Sequence, residues 1–288
     1  MITEIAPAKI NLYLHVGGVR KDGLHDLASL FVFTENGDRI IVREHDVLSL
    51  EISGPFAREL DGFPVQENLV WLAATALCEY AEEKFGAAIE LEKNLPVAAG
   101  IGGGSADAAA ALRALIKLWR IQISDDELST IAFALGADVP ACLARAPVHV
   151  SGAGENITPG VSLPDLWVCL VNPLLPTLTG SIFKQFDTDN PSPNSPRLYL
   201  SQCRSVDKVA KMMAATKNDL EKPAVSQTPV IADVIRFLSD QPNAIAARMS
   251  GSGATCFALF SSAGEASAAA ETAKSKGWWA MASKLAIG

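Results

Sequence analysis

Apolar and polar positions alternate early in the chain, with Ile10, Leu12, Leu14 and Val16 on one face and Lys9, Asn11, Tyr13 and His15 on the other. A period of two belongs to a strand, so this segment is expected to be half-buried and to carry a row of polar side chains. Segments 28–33, 39–44 and 47–52 also read as strands, the first two parted by the turn signal Glu35-Asn36-Gly37-Asp38. The spacing of Leu69, Leu72, Ala73 and Ala76 predicts a helix over 67–85, with Asn68 near its start and Gly86 at its end. A strand at 87–93, a loop at 94–104 and a helix at 105–119 follow. Ser124 and Glu127 then make a capping box for another helix, which Gly136 ends.

The second half starts with a short buried strand at 166–171. Pro191, Pro193 and Pro196 mark 187–196 as a surface loop. Helices are expected at 205–215 and 229–240, and a strand pair at 245–249 and 255–260 flanks Ser250-Gly251-Ser252-Gly253. An Ala-rich helix at 264–276 and a returning strand at 278–285 complete the chain. Strands and helices interleave without a strict βαβ rhythm, which implies an α+β fold. The division is expected near 160, giving domains 1–160 and 161–288.

The 288 residues are 49% apolar and 19% charged, a composition that forms a core and excludes wholesale disorder. The formal net charge of −8 argues against a nucleic-acid partner. It does not exclude an anionic small molecule, because backbone N–H groups can offset the field locally. Cys78, Cys142, Cys169, Cys203 and Cys256 have no metal-ligand spacing and read as reduced core thiols. With neither a secretory leader nor an apolar membrane span, the chain is expected to be cytoplasmic, off the membrane, and without an obligate protein partner.

The densest chemical signal is the run Pro96-Val97-Ala98-Ala99-Gly100-Ile101-Gly102-Gly103-Gly104-Ser105-Ala106. Glycines let a ligand approach the backbone, and the helix that follows offers unpaired N–H groups and a positive dipole end, so the segment suits phosphate. Ser105 is expected at the N-cap, its hydroxyl free for the helix, a phosphate or Mg²⁺. The run lacks the Lys of a Walker loop, the third glycine of a dinucleotide fingerprint and the second glycine of a nucleophile elbow. Lys9 and Asn11, two apart on a strand, project together about 6.5–7 Å apart. Asp138 follows the helix-ending Gly136 and precedes an apolar, strand-like run. Taken singly, these last two segments are as compatible with a strand edge and a loop aspartate.

Together and in this order the segments resemble the GHMP small-molecule kinases, among them galactokinase, homoserine kinase, mevalonate kinase and phosphomevalonate kinase. The pattern P-x-x-x-G-[IL]-G-[GS]-[GS]-S-A fits from Pro96 to Ala106. A-P-A-K-I-N-L at 6–12, D-G-L-H-D-L at 22–27, G-A-D-V-P at 136–140, N-D-L-E at 218–221 and M-S-G-S-G-A at 249–254 are most similar to the branch whose acceptor is a cytidine diphosphate methylerythritol, in the non-mevalonate route to isoprenoids.

The resemblance implies a two-domain fold, ribosomal protein S5 domain 2-like at the N-terminus and ferredoxin-like at the C-terminus. It implies ATP with Mg²⁺, the ion held mainly by the ATP phosphates with Ser105 as a candidate ligand. It also implies Asp138 as catalytic base with Lys9 as its partner, Asn11 as a substrate contact, residues 96–106 as the ATP phosphate loop and Asn68 on the adenosine side. His25 would read the cytosine, with Thr179 and Phe183 forming the pocket wall and Phe183 stacking on the base. The family usually has an aromatic residue before that histidine; here it is Leu24, so the stack is one-sided, at a cost of about 1 kcal/mol. A sister kinase for mevalonate or homoserine, or a non-catalytic ligand sensor, are the alternatives.

Overall fold

A computed structural model describes residues 1–191 and 193–287; Ser192, within the expected 187–196 loop, and Gly288 lie outside the described residues. The chain forms two compact units, neither continuous in sequence: 1–8, 36–97 and 102–144 make the first, and 9–35, 98–101 and 145–288 the second. Strands β1 (Ile2–Val19) and β2 (His25–Glu44) each contribute residues to both.

In the first unit, β4 (Ala87–Glu92) pairs in parallel with β3 (Leu48–Ser53) and antiparallel with residues 39–44 of β2. Helices α1 (Leu69–Tyr80), α2 (Gly103–Trp119), α3 (Asp125–Leu135) and α4 (Val139–Ala144) pack against one another. Alanines and leucines line the contact: Ala73, Ala74 and Leu77 of α1, and Ala108, Ala111, Leu112 and Leu115 of α2 are buried. Small residues let helix axes approach closely. Asn68 caps α1 by accepting the Val70 N–H at 2.9 Å, and α3 opens with the reciprocal Ser124–Glu127 box.

Three local expectations change here. The helix expected to run to Gly86 stops at Tyr80. The strand-like run after Asp138 is the short helix α4. The segment Glu35-Asn36-Gly37-Asp38 is not a turn, because β2 runs straight through it. Gly37 is required by a neighbour instead: a Cβ there would lie 1.9 Å from the Ala6 carbonyl oxygen. The Asp38 side chain is fully buried. It accepts the Leu95 N–H at 2.8 Å and pairs with Lys93, which also donates to Asp107 at 2.8 Å.

Two carboxyls thus share one ammonium inside the first unit. Burial pushes the Asp107 carboxyl up to about 8, against the pull of Lys93 and with Asp38 adding to the rise. Lys93 itself is held above the ordinary lysine range by Asp107 and Asp38, which outweigh its burial.

The second unit contains β5 (Val148–Gly152), β6 (Asn156–Pro159), β7 (Trp167–Asn172), α5 (Thr179–Asp189), α6 (Val206–Ala215), α7 (Glu221–Gln227), α8 (Val230–Ser239), β8 (Ala246–Met249), β9 (Cys256–Phe260), α9 (Ala263–Ser275) and β10 (Trp279–Ala286). The sheet order β10-β7-β9-β8 is antiparallel throughout, and helices connect β7 to β8 and β9 to β10. This βαββαβ arrangement is the ferredoxin-like one expected for the C-terminal part. β5 pairs with residues 27–31 of β2 and with β6. The core joins Leu14 and Val16 of β1 to Val171, Ile182, Phe186, Val234, Leu238 and Phe260.

The polar row of β1 is buried rather than half-exposed, with Lys9 5% and Asn11 2% accessible. Further along the row, residues 197–199 lie over the strand. The Tyr199 N–H donates to the Tyr13 hydroxyl at 2.9 Å, and His15 Nδ1 meets the Arg197 carbonyl at 2.8 Å. Burial pushes the Tyr13 phenol up to about 12 and holds His149, its neighbour, below the ordinary imidazole range. The expected loop at 187–196 begins later than read, since α5 extends through Asp189.

Residues 98–101 of the glycine-rich run press against the turn after β8. A Cβ on Gly100, whose φ is +76°, would lie 2.6 Å from the carbonyl oxygens of Ser250 and Gly253. A Cβ on Gly251 would lie 2.7 Å from the Gly100 carbonyl oxygen. Gly104, by contrast, would meet only a Leu69 methyl at 3.5 Å.

Gly100→Ala is therefore expected to lower stability by more than about 1 kcal/mol, a fall in melting temperature of about 2 °C or more, whereas Gly104→Ala leaves it unchanged. Equal melting temperatures for the two variants would contradict this packing. Asp107 also makes stability depend on pH. Because its folded pKa lies above the unfolded one, the folded chain holds a proton that the unfolded chain lacks between about pH 4 and 8. Stability should fall as pH rises through that window. Measured against Asp107→Asn, which cannot titrate, the wild type should lose melting temperature from pH 5 to 8; a constant difference would contradict the assignment.

Candidate active site

The expected site residues fall into both units, and each unit has its own geometry. In the second, Lys9 and Asn11 meet on β1: Lys9 Nζ donates to Asn11 Oδ1 at 3.0 Å and stands 4.3 Å above the Phe31 ring. Asn11 Nδ2 donates to Ser29 Oγ at 3.0 Å, and Ser29 Oγ donates to the Tyr13 carbonyl at 2.5 Å. This chain fixes the amide, with its oxygen towards the lysine. A cation over an aromatic face, with a directed amide beside it, is suited to a negative or developing negative charge.

Ser250 ties this pair to the glycine-rich run. Its hydroxyl accepts the Asn11 N–H at 3.1 Å and donates to the Gly100 carbonyl at 3.1 Å. Lys9 N–H donates to the Ile101 carbonyl at 2.8 Å, and Thr255 N–H to the Ala99 carbonyl at 3.2 Å. Three successive carbonyls of the run are therefore held by protein donors. Behind the turn, Asn218 Nδ2 donates to the carbonyls of Met249 (2.9 Å) and Gly251 (2.8 Å), and Glu221 accepts the Met249 N–H at 3.0 Å. Asp219 accepts the Val16 N–H of β1 at 2.9 Å. The motif N-D-L-E thus fastens both the turn and the strand. Its spacing was visible in the sequence, but its role was not, since its partners lie up to 203 residues away.

A second cluster in this unit surrounds His25. Its ring lies 4.8 Å from Phe183 at 35° and 6.3 Å from Phe186, edge-on. His25 Nε2 meets the Asp187 carboxylate at 2.8 Å. Thr179 Oγ1 bonds Ser252 Oγ at 2.8 Å, joining the start of α5 to the turn after β8. Leu24 is about half exposed. The sequence pointed to His25, Thr179 and Phe183; Asp187 had been absorbed into an expected loop.

The first unit holds Pro96, Val97, residues 102–106, Asn68 and Asp138. Ser105 is not the N-cap. Gly102 takes that place in a left-handed conformation (φ 62°), and α2 begins at Gly103. The helix starts earlier because the glycine can supply the cap geometry itself, which leaves Ser105 on the first turn. The N–H groups of Gly103, Gly104 and Ser105 there have no intrahelical partners. No protein atom crowds a Cβ at Gly103 or Gly104 closer than 3.5 Å, so protein packing does not explain these glycines. The chemistry of a helix's N-terminal turn fits a phosphate group. Asp138 is partly buried in the turn before α4, its carbonyl accepting the Cys142 N–H at 3.1 Å. Among the described residues, no group of three or more His, Cys, Asp or Glu could hold a metal ion, and no helix is long and apolar enough to cross a membrane.

The family model described as GHMP kinases N terminal domain matches residues 68–145, and that described as GHMP kinases C terminal matches residues 199–277. The 4-diphosphocytidyl-2-C-methyl-D-erythritol kinase of Parvibaculum lavamentivorans is 46% identical over 287 residues, 96% of each chain. The enzyme of that name from Cereibacter sphaeroides is 45% identical over 291 residues, 99% of each. A crystal structure of 4-(cytidine 5'-diphospho)-2C-methyl-D-erythritol kinase superposes over all of both chains with a TM-score of 0.81 and 30% identity. The chain belongs to the GHMP kinases and, within them, to the family of 4-diphosphocytidyl-2-C-methyl-D-erythritol kinases.

Proposed function

We propose that the chain transfers the γ-phosphate of ATP to the 2-hydroxyl of 4-diphosphocytidyl-2-C-methyl-D-erythritol, a step in making isoprenoid precursors by the non-mevalonate route. The observation that carries this reading is the end-to-end identity with relatives of that name, 46% over 96% of each chain in one case. Asp138 and Lys9 are both present, which disfavours a non-catalytic sensor.

Phosphoryl transfer asks the protein for positioning and charge neutralisation more than for covalent chemistry. The first turn of α2 and the run 96–106 receive the phosphates of ATP, with Asn68 on the adenosine side. Asp138 accepts the proton of the acceptor hydroxyl. Lys9, held by Asn11 and the Phe31 ring, supplies positive charge to the oxygen as it attacks. Asn11 contacts the acceptor; His25, Thr179 and Phe183 hold its cytidyl end. An Mg²⁺ held chiefly by the ATP phosphates would need few protein ligands; the Ser105 hydroxyl on the first turn of α2 is the residue that would hold it, and the ion would supply neutralisation of phosphate charge.

Asp138→Ala is expected to lower kcat for this acceptor by about a hundredfold to ten-thousandfold, the worth of a general base, while ATP affinity measured by calorimetry stays within about twofold. A variant that keeps near-normal turnover would remove Asp138 from the mechanism.

A further inference from the structure

Phe183 and Asp187 are four residues apart on α5, so both side chains leave the same face of the helix. Both reach one imidazole: Phe183 lies against the His25 ring at 4.8 Å, and the Asp187 carboxylate meets Nε2 at 2.8 Å. His25 is 11% accessible. Among the described residues its Nδ1 makes no hydrogen bond. Docking of α5 does not need the carboxylate, because Ile182 and Phe186 already bury the helix in the core. What the contact with the carboxylate fixes is the orientation of the ring.

We propose that Asp187 is a positioning residue for base recognition: it holds the His25 proton on Nε2 and so presents Nδ1 as a hydrogen-bond acceptor to the exocyclic amine of a cytosine. In a neutral imidazole one nitrogen donates and the other accepts, and a carboxylate on Nε2 selects the tautomer with the bare Nδ1. A cytosine offers an N–H donor where a uracil offers a carbonyl oxygen, so the same nitrogen that attracts the first repels the second. With Leu24 where the family usually has an aromatic residue, discrimination falls on this hydrogen bond more than on stacking. The inference rests on the reading that His25 and Phe183 hold the cytidyl end of the acceptor.

The test uses the whole protein with cytidine diphosphate and uridine diphosphate as probes, and NMR of the His25 ring. The wild type should bind cytidine diphosphate at least about tenfold more tightly than uridine diphosphate, the factor that one hydrogen bond of ordinary strength represents. Asp187→Ala should weaken cytidine diphosphate about tenfold, bring the two probes within about twofold of each other, and raise KM for the cytidyl acceptor with kcat little changed. Asp187→Asn, which keeps an acceptor oxygen, should retain most of the preference. In the free protein the ring nitrogen shifts should report the Nε2–H tautomer, and a mixture in Asp187→Ala.

Undiminished discrimination in Asp187→Ala, an unchanged tautomer, or a loss confined to kcat and the KM for ATP would overturn the inference, as would a wild type that binds neither probe. Absence of turnover with the cytidyl acceptor, alongside the expected contrast between the probes, would count against the proposed function and for the role of Asp187.

Discussion

The Ser250 hydroxyl and the glycine contact beside it are the constraint on which the second unit's chemistry depends. One oxygen accepts from the β1 backbone at Asn11 and donates to the glycine-rich run at Gly100. The run and the turn can approach this closely only because Gly100 and Gly251 have no side chains where their backbones meet. The glycines of the run therefore have two separate causes. Gly100 answers to protein packing, whereas a Cβ on Gly103 or Gly104 would make only ordinary contacts, leaving the first turn of α2 open to the phosphate proposed for it. The N-D-L-E motif makes the arrangement rigid: Asn218 and Glu221 hold the turn from behind, and Asp219 holds β1. Lys9 and Asn11 thus project from a strand tied to its neighbours through backbone bonds, the kind of support that keeps a polar pair oriented before substrate arrives.

The same strand shows how one row of alternating positions can serve two ends. Lys9 and Asn11 bond each other in the pair proposed to meet the acceptor, while Tyr13 and His15, further along, hold residues 197–199 in place. A buried polar row is costly unless its members are paired, and the bonds Lys9 makes to Asn11, Asn11 to Ser29 and the Tyr199 N–H to Tyr13 meet that cost. In the first unit, Asp38, Lys93 and Asp107 form the corresponding buried polar element. There two carboxyls share one cation, and burial, with Asp38 adding to it, pushes the Asp107 carboxyl up.

Much of this was legible in the sequence where local signals and tertiary context agree. The glycine run ahead of a helix, the Ser124–Glu127 box, and β7, α6, α8, β8, β9, α9 and β10 are of that kind, whereas α5 and α7 were not read. The Asn36-Gly37-Asp38 turn signal misleads because two distant contacts override it: Ala6 demands a glycine, and Lys93 draws the aspartate inward. The sequence does not separate helix α4 from a strand, since six apolar-rich residues are too few to establish a period. α5 begins at Thr179-Gly180, without a capping side chain, and its last turn merges with a proline-rich stretch. The pairing of His25 with Asp187 spans 162 residues and has no local signature at all. The motifs were readable; the bonds that join them within each unit were not.

Acceptor identity is the claim most open to direct trial. With the purified protein, ATP and Mg²⁺, phosphoryl transfer should be measured in parallel to 4-diphosphocytidyl-2-C-methyl-D-erythritol, mevalonate and homoserine, with the product's phosphate located by NMR. Turnover with the cytidyl acceptor alone, phosphorylated on its 2-hydroxyl, is the expected result. Transfer to mevalonate or homoserine instead, or to no acceptor by a protein shown to be folded, would contradict it.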